Sequence, residues 1–315
     1  MGVVTAEMGP AELVMAAAVA RRYYVAGESK VDIAAAMGIS RFKVARLLDV
    51  AREIGLVRIE ISSPGPIDVE LSTTLQEAFG LLHCVVVLTS GTPDAGRHVG
   101  TAAAELLAEI VTKDDVLGLP WARTVADVVS ALPTLPRIPV VQMSGSLVLP
   151  GQSSTVDLVR RAARLAGGEA HLFYAPLVLD DAESTDALLR QPSVADAMAH
   201  IDRVTLAVVG IGAWGPDAST IYAACSPQER LAVTAAGAVG EVAGVFFDIA
   251  GRPVETLLGE RLVTVQDDQL RGIPEVIGVA CGQAKTQAVR ASVRNGLVNS
   301  LVVDDTIARG MLEGE

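Results

Sequence analysis

The sequence predicts an α/β protein: a small winged helix-turn-helix domain over residues 1–62, then a Rossmann-like, mainly parallel sheet domain over 63–315. Three observations lead there. Strand-like and helix-like runs alternate through most of the chain, the pattern of a parallel sheet covered by helices on both faces. The first 62 residues instead carry helical periodicity interrupted by a single tight step. Between the two, Ser62-Ser63-Pro64-Gly65-Pro66 breaks both periodicities and forms a short, stiffened linker.

Three helices are readable in the N-terminal part. Ala11–Ala26 is largely apolar and stops before Gly27, Lys30–Met37 follows, and Arg41–Ile54 is the third. Ser40 is placed as an N-cap, its hydroxyl accepting from free backbone N–H groups of that third helix. Gly38 suits the turn because glycine takes positive φ without penalty, and Ala34 is small enough for a helix crossing. Ile33, Met37, Ile39, Val44 and Leu47 form the expected shared core, and Leu56–Ile61 alternates in strand fashion as a small wing. Ser40, Arg41, Phe42, Lys43 and Arg46 are then the residues expected at DNA. Arg41 and Arg46 can contact guanine bidentately, and Lys43 suits a phosphate.

The net charge of −12 sits awkwardly with a nucleic-acid partner. It is unevenly divided. Residues 1–62 hold eight Lys/Arg against seven Asp/Glu, a balance of +1, while the rest hold seventeen against thirty, a balance of −13. Within Gly38–Arg58 there are five basic residues and two acidic ones. The acidity therefore belongs to the large domain, and the small one keeps a basic face.

With 50% hydrophobic and 20% charged residues, a large core is expected. No apolar run reaches the roughly 18 residues of a membrane span, and Leu13–Ala20 is followed by Arg21-Arg22-Tyr23-Tyr24 rather than a cleavage site. Cys84, Cys225 and Cys281 are odd in number, widely separated and without a CxxC, which points away from disulfides and zinc and toward a cytoplasmic protein. His83, His98, His171 and His200 are equally scattered, so no metal and no cofactor is expected.

In the large domain the expected strands are Cys84–Leu88, Val116–Leu119, Val140–Met143, Val204–Val209, Val245–Asp248, Val276–Ala280 and Ser300–Val303. Helices are expected at Val99–Val111, Thr124–Leu132, Thr155–Ala166, Pro227–Ala236, Gln283–Asn295 and Asp304–Leu312. Ligands of such sheets bind beyond the carboxyl ends of the strands. Three loops lie there: Gly118–Thr124, Met143–Ser146 and Gly210-Ile211-Gly212. The first suits a phosphate at a helix N-terminus, with the Thr124 hydroxyl and Arg123 beside it. None is a P-loop or a dinucleotide fingerprint. Asp248 ends an apolar strand, and Lys285 opens a helix. A carboxylate can accept sugar hydroxyls, and an ammonium can hold phosphate. Lys285 is one of only four lysines beside twenty-one arginines.

Catalysis on a sugar phosphate, as in an isomerase or deaminase, is the alternative. Its candidate carboxylates, Asp180-Asp181, Asp267-Asp268 and Asp304-Asp305, are sequence neighbours whose side chains diverge, and they read as loop or helix-start residues.

Five ordered blocks resemble the SorC family of sugar-responsive regulators: LGLPWARTV (117–125), VVQMSGS (140–146), VVGIG (208–212), FFDIAGRP (246–253) and the long run from Val276 to Leu312. The resemblance covers nearly the whole chain. It implies an effector domain similar to the ribose-5-phosphate isomerase, glucosamine-6-phosphate deaminase and CoA-transferase-like fold. It also implies a homotetramer (a dimer of dimers), operator DNA as partner, and a phosphorylated sugar or polyol as effector. The matched effector residues are Trp121, Ala122, Arg123, Thr124, Ser144, Gly145, Ser146, Asp248 and Lys285. The expected role is repression of a carbohydrate or polyol operon. Ala122 stands where the family usually has glycine, and its methyl group leaves an unphosphorylated effector open.

Overall fold

The computed structural model describes residues 9–59, 65–89, 92, 94–147 and 154–313. The chain divides into two compact units, Met1–Ser62 and Ser63–Glu315.

In the first unit, α1 spans Pro10–Ala20 and runs on through a wider turn, Arg21–Val25, in which the Ala26 N–H reaches the Arg21 carbonyl at 3.1 Å. α2 spans Lys30–Met37 and α3 spans Arg41–Glu53. Each opens on a serine cap: the Ser29 hydroxyl accepts from the Asp32 N–H and the Ser40 hydroxyl from the Lys43 N–H, both at 3.2 Å. Gly38 ends α2 at φ +63°, the left-handed geometry the turn requires. Ile33, Val44, Leu47, Leu48 and Ala51 pack with Ala16, Val19 and Ala20 of α1, and Met37 and Ile39 lie at the edge of this cluster. The wing is not formed over Leu56–Ile59, which carry no strand pairing. The Val57 N–H is instead spent on the Ala51 carbonyl at the end of α3. Glu60 and Ile61, with Ser62–Pro64 of the linker, lie outside the described residues.

Among its described residues the second unit has nine strands: β1 Cys84–Val87, β2 Leu117–Leu119, β3 Val140–Gln142, β4 Ala170–His171, β5 Leu206–Ala213, β6 Gly240–Val242, β7 Val245–Phe247, β8 Glu275–Ala280 and β9 Ser300–Asp304. Seven of them pair in parallel, in the order β1-β9-β8-β5-β2-β3-β4. Both faces are apolar because successive side chains alternate: Val208 and Val302 enter one core cluster, Val209 and Val303 the other. After β2 the chain moves outward through β3 and β4, then returns to place β5 on the other side of β2. The order in which strands are added therefore reverses between β2 and β5, which stay parallel.

One expectation is corrected. Val245–Asp248 does not join the parallel sheet; β7 is one arm of an antiparallel hairpin with β6, which itself pairs with the far end of β5. The turn is Ala243-Gly244, with φ of 52° and 88°, the two positive values of a type I′ hairpin. Such turns are usually Asn-Gly or Asp-Gly, so the sequence carried no recognisable signal there. β4 is only two residues long and was equally unreadable.

Backbone proximity is tightest at Gly168, where an added Cβ would lie 1.7 Å from the Ile138 carbonyl oxygen. Two backbone segments meet there, so no rotamer relieves the clash. Gly168→Ala is expected to destabilise the domain by about 3 kcal/mol or more, lowering Tm on the order of 10 °C, as differential scanning calorimetry would read. An unchanged Tm would contradict this packing.

Acid sensitivity is built into the β4 edge. The His171 and His200 rings stack with centroids 3.6 Å apart at 17°. Burial lowers the His171 pKa, the His200 and Arg203 charges lower it further, and Glu169 opposes them. A base depressed in the folded state contributes stability that is complete above its unfolded pKa of about 6.5. That stability is lost as pH falls through the folded value. Urea midpoints of the wild type should therefore decline between neutral pH and mild acid more steeply than those of His171→Phe, which keeps a ring but cannot titrate.

Candidate functional site

At the reversal between β2 and β5 lies a cavity of about 320 Å³, where open α/β sheets bind ligands. Its walls come from the loop after β2, the end of β5, the β6–β7 hairpin and the loop after β8. Of the residues expected at an effector, Trp121, Ala122, Arg123, Thr124, Ser144 and Lys285 line it together, as do Gly210 and Gly212.

The helix Arg123–Ala131 begins on Ala122, whose methyl offers no side-chain cap. Its first-turn N–H groups, the positive end of the helix dipole, thus meet the cavity with the buried Thr124 side chain among them. Contacts on both sides of Ala122 hold this loop in place. The Trp121 N–H donates to the Ser144 hydroxyl at 2.9 Å, and Arg123 reaches the Asp217 carbonyl at 3.4 Å. Gly210 leaves room for the Ala122 methyl: a Cβ at 210 would lie 2.7 Å from it. The methyl occupies the space that a side chain at 210 would need.

Gly145, Ser146 and Asp248 are not among the cavity residues. Gly145 is a place of close backbone approach, where a Cβ would lie 2.3 Å from the Pro176 carbonyl oxygen, and Ser146 bridges to Pro176. Asp248 folds back on its own turn. Its carboxylate accepts from the Ala250 and Arg252 N–H groups at 2.9 and 3.0 Å and pairs with the Arg252 guanidinium at 2.7 Å. The Arg252 hydrogen bond lowers its pKa.

A buried carboxylate that does line the cavity is Glu241 on β6. It is buried, accepts from the Ser219 hydroxyl at 3.2 Å and the Gly244 N–H at 3.1 Å, and burial raises its pKa. Gly212 makes room for it, since a Cβ there would lie 2.2 Å from the Glu241 Oε1. No sequence pattern pointed to Glu241. The nearest signal was the pair of glycines in VVGIG, whose missing side chains its carboxylate and Ala122 require. Asp127 and Cys281 also border the cavity. Asp127 is held there because a Cβ at Gly100, on the neighbouring helix Ala95–Ile110, would lie 2.7 Å from its own Cβ. Burial raises the pKa of both side chains.

Lys285 closes a short turn, Gln283–Lys285, before the helix Thr286–Arg294. The turn is anchored by the Gly282 N–H donating to Asp304 at 2.6 Å. Burial lowers the Lys285 pKa, while Cys281, Glu241 and Asp304 oppose the shift and Arg123 reinforces it. One aspartate of each adjacent pair is otherwise employed: Asp181 and Asp304 cap helices, and Asp267 pairs with Arg271. Among the described residues no group of three or more His, Cys, Asp and Glu is placed to hold a metal ion.

In the first unit, α3 presents Arg41, Phe42 and Arg46 to solvent, with Phe42 88% exposed, and Lys43 is partly exposed. Ser40 spends an acceptor lone pair on its cap and keeps its O–H for another partner. Arg46 lies 3.6 Å from Glu12, both side chains largely exposed, a pairing that costs little to exchange for a phosphate. No helix among the described residues is long and apolar enough to cross a membrane.

A helix-turn-helix with a basic exposed face and a parallel α/β unit with a polar cavity at its switch point define a class: ligand-responsive transcriptional regulators. Known proteins agree. Residues 67–313 match the Sugar-bind family model, which describes a sugar-binding domain. The transcriptional regulator LsrR of Klebsiella pneumoniae subsp. pneumoniae is 32% identical over 309 residues, covering 96% of this chain and 94% of that protein. The LsrR of Escherichia coli O139:H28 is 28% identical over 313 residues, with 97% and 96% covered. The full-length sorbitol operon regulator SorC from Klebsiella pneumoniae superposes with a TM-score of 0.74 at 25% identity, over 95% of this chain and 98% of that one. This chain belongs to the SorC family of transcriptional regulators.

Proposed function

We propose that this protein represses a carbohydrate or polyol catabolic operon, and that a phosphorylated sugar or polyol bound in the cavity lowers its affinity for operator DNA. One observation carries the reading: the uncapped start of Arg123–Ala131, beside Arg123 and Lys285, shares a cavity with the buried carboxylate of Glu241. The helix start with Thr124 suits a phosphate, and Glu241 suits sugar hydroxyls. Asp248 has no part in this reading because its carboxylate is consumed by its own turn. Ser144 acts by bracing the Trp121 backbone.

At DNA, α3 enters the major groove with Arg41 and Arg46 toward base edges and Ser40 and Lys43 toward phosphates, and Phe42 suits an apolar contact with a thymine methyl. Assembly as a homotetramer, a dimer of dimers, would present paired readers to repeated half-sites. Effector and operator affinities then change by the same factor, whichever binds first. The relatives are named as transcriptional regulators, which supports a regulatory rather than an enzymatic role.

A thermal-shift series with sugar phosphates, their unphosphorylated sugars and inorganic phosphate tests the effector class. A ligand at 100 times its Kd adds about 2.7 kcal/mol of stability, and it should release the protein from its operator in a gel shift. Equal stabilisation by phosphorylated and unphosphorylated sugars would remove the phosphate from the reading.

A further inference from the structure

Phe42 is the most exposed large apolar side chain among the described residues, at 88%, and it stands on α3. The buried side of that helix is Val44, Leu47, Leu48 and Ala51. At about 100° per residue, the line opposite them runs through Phe42, Arg46, Asp49 and Glu53. All four are exposed, while Lys43, Ala45 and Val50 at the borders are half-buried.

The charges along that line decide which part of it meets DNA. Asp49 and Glu53 repel phosphates, so the C-terminal half of α3 stands away from the backbone. Phe42 and Arg46, in the N-terminal half, go deepest into the groove. They are neighbours at i and i+4. A long helical side chain leans back toward the N-terminus, which carries the Arg46 guanidinium over the turn that holds Phe42. The Glu12 contact does not prevent this, being 3.6 Å long with 68% of the Arg46 side chain exposed.

A phenyl ring neither donates to nor accepts from a base edge. The apolar feature that the major groove offers it is the C5 methyl group of thymine, while Arg46 suits the N7 and O6 acceptors of guanine. Cytosine lacks the methyl, but 5-methylcytosine carries it on the same ring carbon, pointing into the same groove. To Phe42 the two methylated pyrimidines are alike.

We propose that this protein reads the C5 methyl of a pyrimidine beside a guanine, and that cytosine methylation at that position raises its affinity for DNA. The proposal rests on α3 being the DNA reader, and it adds a covalent mark on DNA as an input besides the effector. TpG in ordinary DNA and 5-methyl-CpG in modified DNA present the same pair along one strand, a methyl and then the guanine acceptors. Unmethylated CpG presents the guanine alone.

The test first selects a binding site for the full-length protein from a randomised duplex library. Matched duplexes then carry thymine, deoxyuridine, cytosine or 5-methylcytosine beside the guanine of each half-site, each opposite its proper partner, and gel shifts give the affinities. Thymine over deoxyuridine, and 5-methylcytosine over cytosine, should each gain about fourfold per half-site, the worth of one buried methylene group. Phe42→Ala should abolish both preferences at an unchanged Tm, and Phe42→Leu should keep part of them. Arg46→Ala should lose the preference for guanine but not for the methyl. Three results overturn the proposal and leave α3 as the reader: a selected site with no thymine beside guanine, equal binding with and without the methyl, or a methyl preference that survives Phe42→Ala. If the library yields no enriched site at low salt, both readings fall.

Discussion

Arg41→Ala/Arg46→Ala loses operator binding while the protein keeps its fold. Each bidentate arginine–guanine contact is worth about 1–3 kcal/mol, so the pair removes about 2–6 kcal/mol, roughly 30-fold to 10⁴-fold in affinity. Stability should barely change. Arg41 is exposed, and the Arg46–Glu12 pair is an exposed contact at 3.6 Å, a kind usually worth no more than about 1 kcal/mol. Arg52, on the last turn of α3 and paired with Asp49 at 2.7 Å, is the internal control, and its alanine variant should bind nearly as the wild type does. Lys43→Ala should weaken every sequence alike and flatten the salt dependence by about 0.9 per lost phosphate contact. Gel shifts on specific and scrambled duplexes at several salt concentrations separate these outcomes. Equal binding by the double variant and the wild type would move the reader away from α3.

Glu241→Gln weakens the effector response without weakening the ligand-free protein. Glutamine fits the same space: its carbonyl can accept from the Gly244 N–H, and its amide can donate to the Ser219 hydroxyl, which need only rotate. The loss falls on the ligand, where a hydrogen bond to a charged group is worth about 1.5–3 kcal/mol, roughly ten- to 150-fold in affinity. Stability moves the other way. Burial holds the Glu241 carboxyl above its unfolded pKa, which is about 4.3. Its contribution is therefore complete below that value and is lost as pH rises through the folded one. Glutamine removes this loss, so the variant should match the wild type in acid and exceed it at neutral pH and above. Calorimetry at two pH values with a ligand titration checks both halves. A variant that loses stability and response together would mean that Glu241 braces the hairpin and does not read the ligand.

The two modules differ in how far their sequences could be read. α2, its Gly38 stop, the Ser40 cap and the buried positions Ile33, Val44 and Leu47 follow from spacing alone, because a helix-turn-helix is a local object. The buried parallel strands were equally legible as unbroken apolar runs, since both of their faces are covered. Of the wing expected over Leu56–Ile61, the described part, Leu56–Ile59, carries no strand pairing, because alternation says what a strand would look like, not whether another strand is there to pair with it. At Asp248 the sequence offered a carboxylate at a strand end and nothing to tell a ligand contact from a turn closed by Arg252.

Sequence by itself determined the two-module plan and the basic face of α3 inside an acidic chain, and it offered the loop after β2 and Lys285 as candidates. These rest on periodicity, charge and residue type, all of which are written locally. Only the tertiary structure decided which residues meet. The reversal of the sheet between β2 and β5 brings together loops separated by about ninety residues. An unreadable Ala243-Gly244 turn places Glu241 in the cavity. The absence of side chains at Gly210 and Gly212 leaves the space that Ala122 and Glu241 occupy. A glycine in sequence records only that a side chain is missing; what uses the room is fixed by strands that pair across the whole domain.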